Sequence, residues 1–312
     1  MTQSHHKRAA LITGAAGRVG QKLCHELASH SQNIIGLYHE KLPTAHKNLL
    51  PLCCDLQKVD SLVAPLKTTD TVIHLAWQSN SISGADEASG KNSANVKMTQ
   101  NMVAAMEKAG TRRVIFLSWV GVDRHASLEV LREKYWAEHA IINSNIPEKI
   151  IIRAGLLAGE EYLTEFTNAA GYLSRIPFIL PLPARVDGVV VTTMKDVVWA
   201  LSESLRSSFK ANQSCKIIDL SSIEPKTSVE VLQALDQRIC GKRKIPIGGF
   251  IGRWLYQMLE SKFGLRQSPE RKLSDYLSAA RLPRKSPADG VPATTYGIKA
   301  GRPIDLDLAL KA

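Results

Sequence analysis

Over the first 150 residues, short β-branched apolar runs alternate with longer amphipathic stretches, a rhythm that predicts parallel strands joined by crossover helices. Strands are predicted at 9–13, 33–38, 49–54, 71–77, 113–118 and 149–153, with helices at 21–30, 92–109 and 128–143. In the longest of these helices Val96, Thr99, Met102, Val103 and Met106 share one face, and Gly110 stands where the helix must stop. The implied fold class is α/β, a doubly wound parallel sheet. Beyond Gly155 the rhythm loosens. A helix is expected at 159–174, a proline-rich stretch at 176–183, a strand at 189–193, a helix at 196–205, a strand at 216–220, and helices at 228–239 and 249–263. The expected organisation is a sheet domain over 1–158, a smaller mixed α/β substrate lobe over 159–285 interleaved with the sheet, and an irregular C-terminal tail over 286–312, where prolines recur at 287, 292 and 303.

Directly after the first strand and before the first helix stands Thr13-Gly14-Ala15-Ala16-Gly17-Arg18-Val19-Gly20. In this context the glycine spacing signals a dinucleotide-binding, Rossmann-like turn. Gly14 permits the tight turn, Gly17 lets the backbone approach a pyrophosphate, and Gly20 permits close packing of helix on strand, while the helix N-terminus offers N–H groups to the anion. Ala16 and Val19 complete the loop, and Arg18 reaches either a phosphate or solvent. An NAD site generally carries an acid at the end of the second strand. Here that position is Tyr38, followed by His39, Glu40 and Lys41, so the expected cofactor is NADP, with NAD as the alternative that Glu40 keeps open. Asp55 and Leu56 follow the third strand, where Asp55 either meets the adenine amino group or caps the next helix.

The chain has 312 residues, 44% of them apolar and 22% charged, enough to build a sizeable core. Its longest apolar runs fall far short of the roughly 20 residues of a membrane-spanning helix, and Met1 to Arg8 lacks the apolar segment of a signal peptide. The expected location is cytoplasmic, with no membrane partner. Five cysteines, odd in number and without a CxxC, suggest neither a disulfide framework nor a zinc site. The net charge of +11 fits nucleic acid, an anionic membrane surface, or an anionic cofactor and substrate. Basic residues crowd the last quarter without an interleaved aromatic motif, so nucleic acid is not the expected partner.

Together these residues resemble the extended short-chain dehydrogenase/reductase superfamily, in its atypical branch of epimerase/dehydratase-like proteins. The matching pieces are TGAAGRVG at 13–20, CDL at 54–56, HLAW at 74–77, Asn95, VIFLSW at 114–119, KYWAE at 134–138, RAG at 153–155 and Lys195-Asp196-Val197. The resemblance implies that Leu75, Ala76, Trp77 and Asn95 belong to the cofactor site. It places Ala154, Gly155 and Leu156 near the nicotinamide amide.

Catalysis in that family uses a tyrosine four residues before a lysine on one helical face, the ammonium lowering the phenol pKa and holding the ribose. Lys134 matches the lysine, yet Val130 stands four residues earlier. Reading Tyr135 as the tyrosine would instead put His139 in the lysine position. Ser118 matches the strand-end serine, but the further hydroxyl two residues on is replaced by Val120. Lys134 can still hold a ribose, or it can pair with Glu138 on a solvated face. For proton transfer the candidates are Tyr135, Ser118, His125, His139 and Tyr162, with His125 on the loop after the fifth strand.

The expected function is an NADP-dependent oxidoreductase of this atypical type, passing hydride to a small, anionic carbonyl, enone or imine without the usual tyrosine. Its partners are a small-molecule substrate and a second copy of the chain. The alternative is a dinucleotide-binding sensor or scaffold without turnover, and a third reading is an RNA-associated relative of the same fold.

Overall fold

In the computed structural model each predicted strand of the N-terminal half lies within a few residues of its expected bounds: β1 (Ala10–Thr13), β2 (Ile34–Tyr38), β3 (Leu49–Cys53), β4 (Thr71–His74), β5 (Arg113–Trp119) and β6 (Glu148–Ala154). Between them run α1 (Arg18–Ser29), α2 (Val59–Leu66), α3 (Ser89–Asn92), α4 (Ala94–Ala109) and α5 (Glu129–Ile142). Then follow β7 (Leu156–Ala158), β8 (Ile179–Pro181), β9 (Val191–Thr193), α6 (Met194–Arg206), β10 (Cys215–Ser221), β11 (Ile245–Ile247), α7 (Gly249–Lys262) and β12 (Thr294–Gly297). The structure describes residues 10–78, 89–126, 128–158, 179–181, 187–210, 213–221, 224–231, 233–234, 245–247, 249–262 and 294–297. The helix expected at 159–174 lies outside the described residues, as does most of the 286–312 stretch.

The chain divides into two compact units. The first comprises Met1–Arg153, Val197–Ile218 and Ser286–Thr294, the second Ala154–Asp196, Asp219–Lys285 and Thr295–Ala312. The main sheet has eight strands in the order β12-β10-β6-β5-β4-β1-β2-β3. β1 runs parallel to both β2 and β4, β2 parallel to β3, and β4 parallel to β5. The order 3-2-1-4-5-6 is that of a doubly wound, Rossmann-like sheet, in which the direction of winding reverses between β1 and β4 and opens a crevice beyond their carboxyl ends.

Alternation along the strands covers both faces of this sheet. Leu11, Val72, Val114 and Phe116 meet Leu62 of α2, Met102 of α4 and Ile141 of α5 in one continuous cluster. The alternate positions Ile12, Ile73 and Ile115 are fully buried on the other face. Each such side chain removed from water stabilises the fold by about 1.5–3 kcal/mol. On α4 the Ser93 hydroxyl accepts from Val96 N at 3.2 Å, and Gly110 closes the helix at φ +71°.

Residues 197–218 complete the first unit through Arg113. Its buried guanidinium donates to the carbonyls of Ser204, Leu205 and Ser207 at 3.0, 2.7 and 2.7 Å, satisfying the end of α6, and to Glu148 at 2.6 Å. Within the second unit β7 pairs with β9, and β8 with β11. Gly155 lies so close to Val190 that a Cβ there would overlap the Val190 carbonyl oxygen.

Candidate active site

The turn after β1 is held from three sides. Gly14 has φ +67°, and a Cβ on it would come within 2.8 Å of Ala76 N, so the turn lies directly against the backbone that follows β4. A Cβ on Gly20 would overlap the Gly14 carbonyl oxygen and reach Ala15 Cα at 2.9 Å, which seats α1 tightly on the turn. Gly17 is exposed and stands at the N-cap of α1 with no side chain capping the helix and no acid in its first turn. Gly17 N donates to Gly14 O at 2.9 Å, and Gln21 Nε2 donates to Ala16 O at 2.8 Å. Arg18 is exposed, while Ala16 and Val19 are half-buried. An uncapped helix start behind a glycine bend is suited to an anion.

A buried relay fixes this arrangement. Leu75 N and Ala76 N both donate to Thr13 Oγ1 at 3.1 Å. Thr13 Oγ1 lies 2.8 Å from His74 Nδ1, and His74 Nε2 lies 3.1 Å from Thr99 Oγ1, which donates to Asn95 O at 3.0 Å. With one proton per hydroxyl, the chain closes only if Thr13 donates to Nδ1 and Nε2–H donates to Thr99. His74 is therefore neutral, and burial together with the nearby Lys134 charge pushes its pKa down to about 3. A histidine in an apolar strand carried no chemical signal in the sequence, and the relay was not predicted.

Asn95 serves the same stretch. Its Oδ1 accepts from Gln78 N at 2.7 Å, and its Nδ2 donates to Gln78 O at 3.1 Å and to buried Glu133 Oε2 at 3.0 Å. Asn101 Nδ2 donates to Leu56 O at 3.1 Å and Gln57 O at 3.2 Å, anchoring the turn after β3. Asp55 accepts from Gln57 N at 2.9 Å, while α2 begins with Lys58 at its N-cap. Asp55 thus shapes its own turn and does not cap α2. At the end of β2, Tyr38 is half-buried and His39, Glu40 and Lys41 are exposed, with His39 Nδ1 3.8 Å from Glu40 Oε1.

Lys134 is the centre of the other half. Its Nζ donates to Leu117 O at 2.8 Å and lies 3.6 Å from the Trp77 ring centre and 4.6 Å from that of Phe116. Burial lowers its pKa to about 7, against the opposing charges of Glu138 and Glu133. The alternative bridge to Glu138 is not the arrangement found: that carboxylate takes Arg153, at 3.0 and 2.5 Å, with both side chains buried. Ser118 is 5% exposed, and its Oγ has no hydrogen-bond partner among the described residues.

The structure thus brings the glycine turn together with Leu75 and Ala76, and brings Trp77 together with Lys134. Tyr135 is half-buried beside Trp136 and His139, its ring centre 5.3 and 6.3 Å from theirs. His125 is exposed, and its backbone N donates to Asp123 Oδ1 at 2.6 Å. Val130 is half-buried and Val120 fully buried. Tyr162 lies outside the described residues. Ala154, Gly155 and Leu156 are buried in the second unit, where Gly155 N donates to Thr192 Oγ1 and Leu156 N to Val190 O, each at 2.8 Å. Among the described residues no group of His, Cys, Asp or Glu is placed to hold a metal ion.

The sequence model of the NAD dependent epimerase/dehydratase family matches residues 10–122, the span that holds β1 to β5 and the glycine turn. Among curated proteins, an uncharacterized protein of Mycobacterium tuberculosis (strain H37Rv) is 25% identical over 108 residues, 34% of this chain and 12% of the relative. The chain therefore spans only a small part of the length of the curated relatives that it matches. Several solved structures share this fold at low identity. A UDP-glucuronic acid 4-epimerase from Bacillus cereus, in complex with UDP-glucuronic acid and NAD, has a TM-score of 0.58 and 19% identity, covering 77% of this chain and 85% of that one. The UDP-glucose 4-epimerase of Thermotoga maritima has a TM-score of 0.57 and 15% identity, with the same coverage of 77% and 85%. A Bordetella bronchiseptica enzyme in complex with NAD and UDP has a TM-score of 0.59 and 16% identity, covering 80% and 84%. No helix among the described residues is long and apolar enough to cross a membrane.

Proposed function

We propose that the chain is a cytoplasmic NADP-dependent oxidoreductase of the atypical short-chain dehydrogenase/reductase type, acting on a small anionic carbonyl, enone or imine. The observation that carries this reading is the glycine turn, pressed on the Ala76 backbone by the Thr13–His74–Thr99 relay and opening onto the uncapped start of α1. The residues present fit a dinucleotide. Gly14, Ala16, Gly17, Arg18, Val19 and Gly20 would surround its pyrophosphate, Asp55 and Leu56 its adenine, and Tyr38, His39 and Lys41 the 2′-phosphate. The nearest acid, Glu40, lies two residues beyond the strand end with its side chain 89% exposed, which favours NADP. Leu75, Ala76 and Trp77, backed by Asn95, would form the wall beyond β4, and Ala154, Gly155 and Leu156 the amide side.

A bound nicotinamide supplies or takes the hydride. Lys134 would present its ammonium to the ribose, and Ser118 would turn its unpartnered hydroxyl to the same ligand. Val130 removes the tyrosine that usually moves the proton, so the proton passes through water, Lys134 or another side chain such as Tyr135 or His125. The lobe over 159–285 would select the substrate. The net charge of +11 favours an anionic one, the chemical class of the UDP-sugars held by solved neighbours.

Calorimetric titration with NADPH, NADP+, NADH and NAD+, followed by a hydride-transfer screen against carbonyls, enones and imines, tests the reading. NADPH binding with turnover is expected. Binding without turnover across the screen would replace it by the sensor or scaffold, the reading that Val130 and Val120 favour. Absence of binding would overturn both.

A further inference from the structure

Helix α7 turns large apolar side chains to the outside. Phe250, Ile251, Trp254 and Met258 are 78%, 62%, 53% and 38% exposed, and Ile245 of the preceding strand β11 is 68% exposed. The spacing 250, 254, 258 with 251 makes a continuous stripe along one side of a helix. Exposed large apolar residues grouped in this way mark a surface that binds something.

The charge of this part of the sequence says what. Residues 238–285 contain twelve Lys or Arg against the three acids Glu260, Glu270 and Asp275, which is nine of the chain's eleven net positive charges. Lys242, Arg243 and Lys244 immediately precede β11, and Arg253 and Lys262 lie on α7 itself. A second copy of the chain would bring this positive segment against its own like and is disfavoured. Nucleic acid satisfies the charge but gives Ile251 and Met258 nothing to enter. A surface of anionic phospholipid satisfies both: phosphates for the basic residues and an acyl boundary for the stripe. With 14 residues α7 is about 21 Å long, shorter than a bilayer core of about 30 Å, and so suits lying in the interface.

We propose that α7 is an interfacial anchor, seating the chain on an anionic membrane surface with Phe250, Ile251, Trp254 and Met258 in the headgroup–acyl boundary, drawn there by the net positive charge of the 238–285 sequence. This departs from the expectation of no membrane partner, which rested on the absence of a spanning segment. The proposal is independent of the dinucleotide site.

The test uses the full chain with vesicles of phosphatidylcholine alone or of phosphatidylcholine and phosphatidylglycerol in equal parts. The protein is expected to float with the anionic vesicles at about 50 mM salt and far less with the neutral ones, and binding should weaken at about 1 M salt as charge is screened. Bromine-labelled acyl chains should quench tryptophan fluorescence in the native protein, and Trp254→Phe should lose that quenching. The double variant Phe250→Ser/Trp254→Ser should bind about tenfold less with an unchanged circular dichroism spectrum. Three results would overturn the proposal: no flotation with anionic vesicles at low salt, flotation unaffected by the double variant, or a dimer that the double variant dissolves. Binding to RNA in preference to the anionic vesicles would equally replace lipid by nucleic acid.

Discussion

The Lys134 ammonium rests 3.6 Å above the Trp77 ring while donating to the Leu117 carbonyl, so one cation ties α5 to the ends of two neighbouring strands. Its pKa near 7, against an ordinary 10.5, means that the native state gives up this proton well before the unfolded chain does. Between those two values the unfolded state binds more protons, so this group makes stability rise with pH from about 7 to 10.5. Thermal melts across that range should show the rise in the native protein and a flatter profile in Lys134→Met.

The same titration bears on ligand binding. If the ammonium holds the dinucleotide, NADPH affinity should fall by about tenfold between pH 6 and 8. Lys134→Arg, charged throughout, should remove that dependence, and Lys134→Met should bind about 10- to 100-fold more weakly at pH 6. Calorimetry at the two pH values decides, and a native affinity flat with pH would remove Lys134 from the binding site.

Two glycines of one turn should fail differently. Gly20→Ala drives a methyl into the Gly14 carbonyl and Ala15, and should cost about 1–3 kcal/mol of stability in a denaturant titration. Gly17→Asp places an exposed side chain whose Cβ, 3.2 Å from Gly14 O, asks the turn to give by only a few tenths of an ångström, and sets a carboxylate against the proposed anion site. It should keep a native melt and lose dinucleotide binding. Unchanged binding would dismiss the turn as a phosphate loop.

His74 should make the fold acid-sensitive. The unfolded residue protonates near 6.5 and the native one near 3, so the unfolded state binds more protons in that interval and stability drains away as pH falls through it. His74→Gln should be less stable at pH 7.5 by about 1–3 kcal/mol, having lost the relay's geometry. It should lose less on acidification to pH 4.5, as urea titrations at the two pH values would reveal.

Buried Glu138 and Arg153 depend on one another. Glu138→Gln takes away the carboxylate that lies 2.5 Å from the buried Arg153 guanidinium and should cost about 3–5 kcal/mol, whereas Glu138→Leu/Arg153→Met together should cost much less. Equal losses in the two proteins, measured by urea unfolding, would mean that the ion pair does not act as a unit.

Apolar period and glycine placement made the N-terminal sheet legible, because a strand buried on both faces and a helix with one apolar stripe leave unlike marks on a sequence. The turn at 13–20 was legible for the same reason: only backbone geometry demands those glycines. Helix α2 escaped notice, its short apolar face interrupted by Pro65 in the last turn. Strands β7, β8 and β11, each three residues long, owe their existence to partners far along the chain that no local pattern encodes. Long-range pairing also hid the site's support. Nothing in the sequence joins His74 to Thr13 and Thr99, or turns Glu138 from Lys134 toward Arg153. Lys134 itself was legible by resemblance, but its aromatic seat was not.

Arg113 reaches carbonyls more than ninety positions further along the chain, at Ser204, Leu205 and Ser207, and Lys149 N donates to Ser214 O in the same region. The first unit is therefore discontinuous in synthesis as well as in sequence. A ribosome that has released only the first 158 residues has made every strand from β1 to β6 and the Glu148 counter-charge, yet it has not made the three carbonyls that accept from the Arg113 guanidinium. Such a nascent fragment must wait, with its sheet edge at β6 unpaired, until about sixty more residues have emerged, the circumstance in which a slow, high-contact-order fold is most open to aggregation and to chaperones.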